Sequence, residues 1–159
     1  MIDRSESETG AAFLAVYEAE FDRLHRIAFM TTGSNASAED IVHDAFVDAL
    51  RRWEHIREPA AYLRRAVVNY STSWVRRRVL ERRHATVLTT RDLTSVDGDT
   101  LAVRDAFQRL SPRQRAAVTM RFIDGISENE IADALGCRPG TVKFPSVPLT
   151  STVERSDRT

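Results

Sequence analysis

Residues 62–83, YLRRAVVNYSTSWVRRRVLERR, set seven arginines beside Tyr62, Tyr70 and Trp74. Guanidinium forks bind phosphate and aromatic faces stack on unpaired bases, so this mixture suits a nucleic-acid strand. Asn69 and Ser73 stand four residues apart, on one helix face, where their side chains could hydrogen-bond base edges. Arg64, Arg65, Arg76, Arg77 and Arg78 are the cations expected to hold the backbone of that strand. Tyr70 and Trp74 also fall at core spacing and read first as packing residues. A solvated basic face is the plain alternative for the arginines.

A second group lies in residues 127–143, SENEIADALGCRPGTVK. A DNA-binding helix-turn-helix needs a small residue in its first helix, so that two helices approach closely, and Ala132 supplies it. It needs a turn residue that tolerates a left-handed backbone, and Gly136 supplies that. It needs a branched apolar residue to plug the second helix onto the first, which is Val142. Ile131 and Leu135 complete a small core. Arg138, Pro139, Gly140, Thr141 and Lys143 then open the second helix, where base and phosphate contacts are made. An ordinary helical hairpin closed by a glycine turn is the alternative.

These groups require elements to hold them, and the pattern is all-helical. Residues 12–30 place Phe13, Tyr17, Phe21, Leu24 and Ala28 on one stripe, and Thr32-Gly33 stops that helix. Ser37 reads as an N-cap with Asp40 at N3, opening a helix over about 38–53. Its Ile41, Val42, Ala45, Phe46, Ala49, Leu50 and Trp53 share one face. Glu39, Asp40, His43, Asp44 and Asp48 share the other. Pro59 sits at the favoured first position of a third helix, running to about 83 on Leu63, Ala66, Val67, Tyr70 and Trp74. Residues 84–100 lack a helical period and read as a flexible linker. Beyond it come short helices: 101–109, one capped by Ser111 with Gln114 at N3, and one capped by Ser127 with Glu130 at N3. Pro139 could start a last one. Two small helical domains follow, 1–83 and 101–143, with residues 144–159 as an atypical tail expected to be disordered.

The zero net charge of the 159 residues hides a segregation. Residues 1–50 hold ten acids and three bases, residues 51–84 ten bases and three acids. One segment could face a protein and the other phosphate. A single cysteine, Cys137, excludes an internal disulfide framework and a cysteine-rich zinc site; it reads as a filler beside the turn. His25, His43, His55 and His84 show no metal-ligand spacing, and no glycine loop cradles phosphate. The expectation is a protein without cofactor, metal or catalytic site, and not an enzyme. No apolar run is long enough for a membrane span, and MIDRSESETG has no apolar signal core, so the cytoplasm is the expected location.

Three blocks in order resemble a known family. Residues 38–53, AEDIVHDAFVDALRRW, are similar to the region 2.2 helix of the extracytoplasmic-function sigma factors of bacterial RNA polymerase. Residues 60–78, AAYLRRAVVNYSTSWVRRR, resemble regions 2.3 and 2.4. Residues 110–143, LSPRQRAAVTMRFIDGISENEIADALGCRPGTVK, resemble region 4. The resemblance implies that Asp40, Asp44, Phe46 and Asp48 dock on core RNA polymerase. It implies that Asn69, Ser73, Trp74 and Arg76–Arg78 melt and read the minus-ten element of promoter DNA, with Arg64 and Arg65 on the same basic helix. It implies that the helix near Arg138 reads the minus-thirty-five element, and that an anti-sigma factor is a further partner to consider. The alternatives are a free-standing helix-turn-helix regulator and a decoy that occupies polymerase without starting transcription.

The resemblance ends at Lys143. The tail reads FPSVPLTSTVERSDRT, where a family member would continue with Ser-Arg and a basic amphipathic helix. Pro145 and Pro148 cannot sit inside a helix without losing hydrogen bonds, at about 3 kcal/mol each. A recognition helix beginning at Pro139 has little more than a turn before the first of them, and so short a helix is marginal. Holoenzyme carrying this chain should therefore protect the minus-ten region in a DNase footprint and leave the minus-thirty-five region open. Strong upstream protection would refute this.

Overall fold

The computed structural model of the protein describes residues 4–84, 98–142 and 144. Its helices are α1 (Arg4–Thr32), α2 (Asn35–Arg51), α3 (Pro59–His84), α4 (Gly98–Arg109), α5 (Pro112–Phe122) and α6 (Glu128–Leu135), with a short 3-10 turn at Trp53–His55. No strand occurs among the described residues. Residues 85–97, most of the expected linker, and residues 145–159 lie outside the described residues.

Helix α1 ends where Gly33 turns left-handed at φ 74°, a conformation that a side chain would strain. The next cap differs from the sequence expectation. Ser34, not Ser37, is the N-cap of α2, and its hydroxyl accepts from the Ser37 backbone N–H. Ser37 lies inside the helix and hydrogen-bonds the Ser34 hydroxyl at 3.0 Å. Two serines three residues apart can exchange these roles on paper; the position of Gly33 decides between them. The caps farther on form as expected. Ser111 with Gln114 and Ser127 with Glu130 are both reciprocal capping boxes.

The stripe of α1 packs on α2 through rings. Phe13 meets Phe46 and Trp53 edge-on at 5.9 and 5.1 Å between centroids, and Tyr17 meets Phe46 at 4.7 Å. Leu24, Ile27, Val42, Leu63, Val67 and Val68 fill the space between α1, α2 and α3. Leu50, expected on the inner face of α2, is 53% exposed instead.

The helices on either side of the linker do not form separate cores. Helix α5 packs on α1, and α6 packs on α3. Ala116, Met120, Ile131 and Leu135 join the same buried cluster as Leu24 and Leu63. At one end of this seam the Arg115 guanidinium donates to the Thr31 carbonyl at 3.1 Å, satisfying an end carbonyl of α1. Burial without full solvation lowers the Arg115 pKa from its ordinary value.

Two substitutions test this architecture by chemical denaturation. Leu24→Ala opens a cavity in the shared buried cluster and should cost about 2–5 kcal/mol. Ser34→Ala should cost about 1 kcal/mol, the usual worth of an N-cap, and Ser37→Ala distinctly less. Equal losses would return the cap to Ser37.

Candidate nucleic-acid and polymerase interface

Helix α3 changes environment along its length. From Leu63 to Ser71 it carries the buried residues Leu63, Arg64, Val67, Val68 and Ser71. From Arg76 to Arg83 every residue is exposed. The reason is compositional: after Trp74 and Val75 no apolar residue falls on the inner stripe except as part of the exposed pair Val79 and Leu80. The helix therefore projects a basic end into solvent, bearing Arg76, Arg77, Arg78, Arg82 and Arg83.

The expected minus-ten residues divide between these two halves. Asn69 and Ser73 are exposed on the outer face, as the spacing requires. Trp74 is half-buried, and the Arg78 guanidinium lies 5.4 Å from its ring centroid. That cation–π contact covers one ring face and is worth about 0.5–1 kcal/mol at an exposed site. Arg78 also reaches Glu81 at 4.0 Å, a weak surface pair. Arg64 and Arg65 go elsewhere. The Arg64 side chain is only 11% exposed and pairs with Glu130 of α6 at 3.2 Å. Arg65 donates to both the carboxylate and the backbone carbonyl of Asp133.

The acidic helix α2 presents Asp40 and Asp44 to solvent, with Asp48 partly exposed. Phe46 does not belong with them. It is 3% exposed and sits under the rings of Phe13 and Tyr17, so the structure places this expected docking residue in the core of the free chain. Helical geometry explains this: Phe46 follows Val42 by four and belongs to the inner stripe. The apolar residues that do reach the outer surface are Leu50, expected inside, and Val47, which the sequence reading did not single out. Val47 lies three residues after Asp44, and that spacing was the available signal. His43 is exposed as expected, with Nδ1 2.9 Å from the Glu39 carbonyl oxygen.

One hydrogen bond ties the two helices together. The Tyr70 hydroxyl of α3 donates to Asp48 Oδ2 of α2. That bond, reinforced by burial and by the negative charge of Asp48, pushes the Tyr70 pKa up to about 12, so the phenol stays a donor. Arg51 approaches the other Asp48 oxygen at 3.5 Å.

The helix-turn-helix is half present. Ala132 is fully buried, Gly136 is left-handed at φ 63°, and the Cys137 N–H closes back on the Ala132 carbonyl at 2.9 Å, a Schellman-type end. The Arg113 guanidinium caps the Leu135 carbonyl. Cys137 and Val142 pack against the core as expected. The second helix, expected to start at Pro139, is absent from the described residues. Arg138, Pro139, Gly140 and Thr141 instead form an exposed turn, closed by the Thr141 N–H on the Arg138 carbonyl at 3.1 Å. Gly140 is left-handed at φ 87°, which ends rather than propagates a helix. Lys143 lies outside the described residues. Beside this turn lies an open groove of about 500 Å³ lined by Leu110, Ala117, Val118, Leu135, Val142 and Phe144.

No group of His, Cys, Asp and Glu able to hold a metal occurs among the described residues. The sequence reading also missed Arg26, which pairs with Asp124 at 2.9 Å across 98 positions. No local signal reports a partner that distant.

Comparison with known proteins matches residues 16–81 to sigma-70 region 2 and residues 100–144 to sigma-70 region 4. The RNA polymerase sigma-E factor of Streptomyces coelicolor is 34% identical over 128 residues, covering 77% of this chain and 72% of its own. The chain belongs to the sigma-70 family, among its extracytoplasmic-function sigma factors. The sigma factor SigM of Mycobacterium tuberculosis is 34% identical over 157 residues, covering 89% of this chain and 79% of its own. The sigma factor BldN of Streptomyces coelicolor is 28% identical over 170 residues, with 98% of this chain and 64% of its own covered. Its family makes this chain a transcription initiation factor that directs promoter recognition, in a family whose members are not themselves catalysts.

Two measurements check the electrostatics. Tyr70→Phe removes one hydrogen bond between α2 and α3 and should cost about 1 kcal/mol in urea unfolding. Glu130 behaves differently. Its bonds from Ser127, aided by the Arg64 charge, hold its pKa below the ordinary 4.5, so its stabilisation is complete above that value. As pH falls through 4.5 and past the lower folded value the stabilisation is lost, and Glu130→Gln should flatten that part of the stability–pH curve.

Proposed function

We propose that this sigma factor docks on core RNA polymerase through the outer face of α2 and holds the opened minus-ten strand on α3. Asp40, Asp44 and Asp48 supply the charge of the docking face, with Val47 and Leu50 as its apolar contacts. Asn69 and Ser73 face the bases, Trp74 offers a ring edge, and Arg76, Arg77 and Arg78 hold phosphates. Opening DNA costs a few kcal/mol for each base unstacked. Arginine contacts offset part of that, and tethering to polymerase raises the effective concentration of each remaining contact. Residues 1–83 form the docking and melting unit, and residues 101–143 the unit facing the upstream element. Polymerase and promoter both place the work in the cytoplasm. No helix among the described residues is long and apolar enough to cross a membrane. An anti-sigma factor remains a partner of the same surfaces.

The observation that carries this reading is the pairing of an acidic outer face on α2 with the solvent-projecting arginine end of α3. The Tyr70–Asp48 bond fixes one against the other, so docking at α2 sets the aim of α3.

The exposed turn at Arg138–Thr141 favours a second reading, in which the chain occupies polymerase with impaired upstream recognition. Run-off transcription with reconstituted holoenzyme separates the two. Transcript from a promoter pool supports the first, and polymerase binding without transcript supports the second. Asp40→Asn with Asp44→Asn should weaken polymerase binding about tenfold, the scale of two rim charges. Arg76→Ala with Arg77→Ala should leave that binding unchanged and reduce promoter opening. Loss of both in both variants would overturn the division of labour.

A further inference from the structure

Trp74, Arg78 and Glu81 follow one another by four and three residues and share one face of α3. The first is anchored: the Trp74 ring packs against the core cluster. The other two are not, for the Arg78 side chain is 53% exposed and that of Glu81 67%. Arg78 touches both neighbours, 5.4 Å from the indole centroid and 4.0 Å from Glu81 Oε2. Both contacts are of the weak, solvent-exposed kind. The guanidinium therefore covers a ring face without being committed to it. Arg76 and Arg77 differ, since neither forms an ion pair or lies over a ring among the described residues.

We propose that Arg78 is a displaceable lid on Trp74, and that an unpaired base of the opened strand lifts it. The base takes the ring face, and the guanidinium moves from Glu81 to a phosphate of the same strand. The proposal rests on the reading of α3 as the strand-holding helix, and it sets Arg78 apart from Arg76 and Arg77, which have no ring to uncover. Both partners gain in the exchange. The indole trades a cation for a stacked base, the stronger contact of the two at an exposed site. The guanidinium trades one carboxylate oxygen for a phosphate, which accepts both arms of its fork. The indole stays in place because the core holds it, and the arginine moves because its stem is long and in solvent. Arg78 is thus a positioning residue for the base, and a phosphate contact only once the base has arrived.

The test uses the full chain with Trp53→Phe, which keeps a ring against Phe13 and leaves Trp74 as the one indole. Trp74 is labelled as 5-hydroxytryptophan, so that in holoenzyme its emission is excited apart from the tryptophans of polymerase. Acrylamide quenching reads the exposure of the ring. Fluorescence anisotropy across a salt series reads the affinity for a mixed-sequence single-stranded DNA oligonucleotide. Arg78→Gln should raise quenching in the absence of DNA. Saturating oligonucleotide should bring the Arg78→Gln chain and the chain with Arg78 intact to the same low quenching, because a base covers the ring in both. The slope of log affinity against log salt should be shallower by about 0.7 in Arg78→Gln, the loss of one phosphate contact on a single strand. Arg78→Lys should keep the original slope. Arg121→Gln, which removes an exposed α5 charge with no ion pair among the described residues, should change neither readout. Quenching unchanged by Arg78→Gln would overturn the lid. An unaltered slope would overturn the exchange, as would an equal change in Arg121→Gln or a ring that oligonucleotide leaves open in Arg78→Gln. Arg76→Ala with Arg77→Ala checks the underlying reading separately: unchanged oligonucleotide affinity removes α3 from the strand contact, while quenching without DNA still reports the lid.

Discussion

Leu63, Val67 and Val68 hold the front of α3 between α1 and α2, and α6 lies over it from the opposite side. A helix confined on so many sides has its orientation fixed over its first half. The rest, from Arg76 onward, is then a rigid projection whose direction the core determines. Nothing at the basic tip has to be folded for it to point outward. The Tyr70–Asp48 bond sits where the confined half gives way to the free half. It joins the acidic helix to the basic one at the place where their relative angle matters most.

The helices themselves were legible in the sequence because each carries its own punctuation. Gly33, Pro59, Ser111, Ser127 and Gly136 stop or start helices for local reasons, and a local reason can be read without a partner. Periodicity likewise placed Leu24, Ala28, Val42 and Ala45 inside. The errors came where a local rule had two solutions. Ser34 and Ser37 are both good caps, and Phe46 is equally plausible as a docking aromatic and as a core ring until the facing Phe13 and Tyr17 are in place.

The site was legible by residue type and not by availability. Arg64, Arg65 and Arg76 look alike in the sequence, yet two of them are engaged by carboxylates more than sixty positions away. Pairing at that separation depends on how two halves of a chain meet, which periodicity cannot report. The second helix of the turn motif failed for the opposite reason. Its signature residues are all present, but a signature does not supply the residues after it. Among the described residues Gly140 is left-handed where that helix would begin.

Asp124 shows what such a seam stores. Its side chain is 1% exposed, one oxygen meets Arg26, and Oδ2 has no hydrogen-bond partner. A buried carboxylate oxygen without a partner costs folding free energy, about 1–3 kcal/mol for such a group. The contact of this turn with α1 is therefore less favourable than its apolar burial alone would make it.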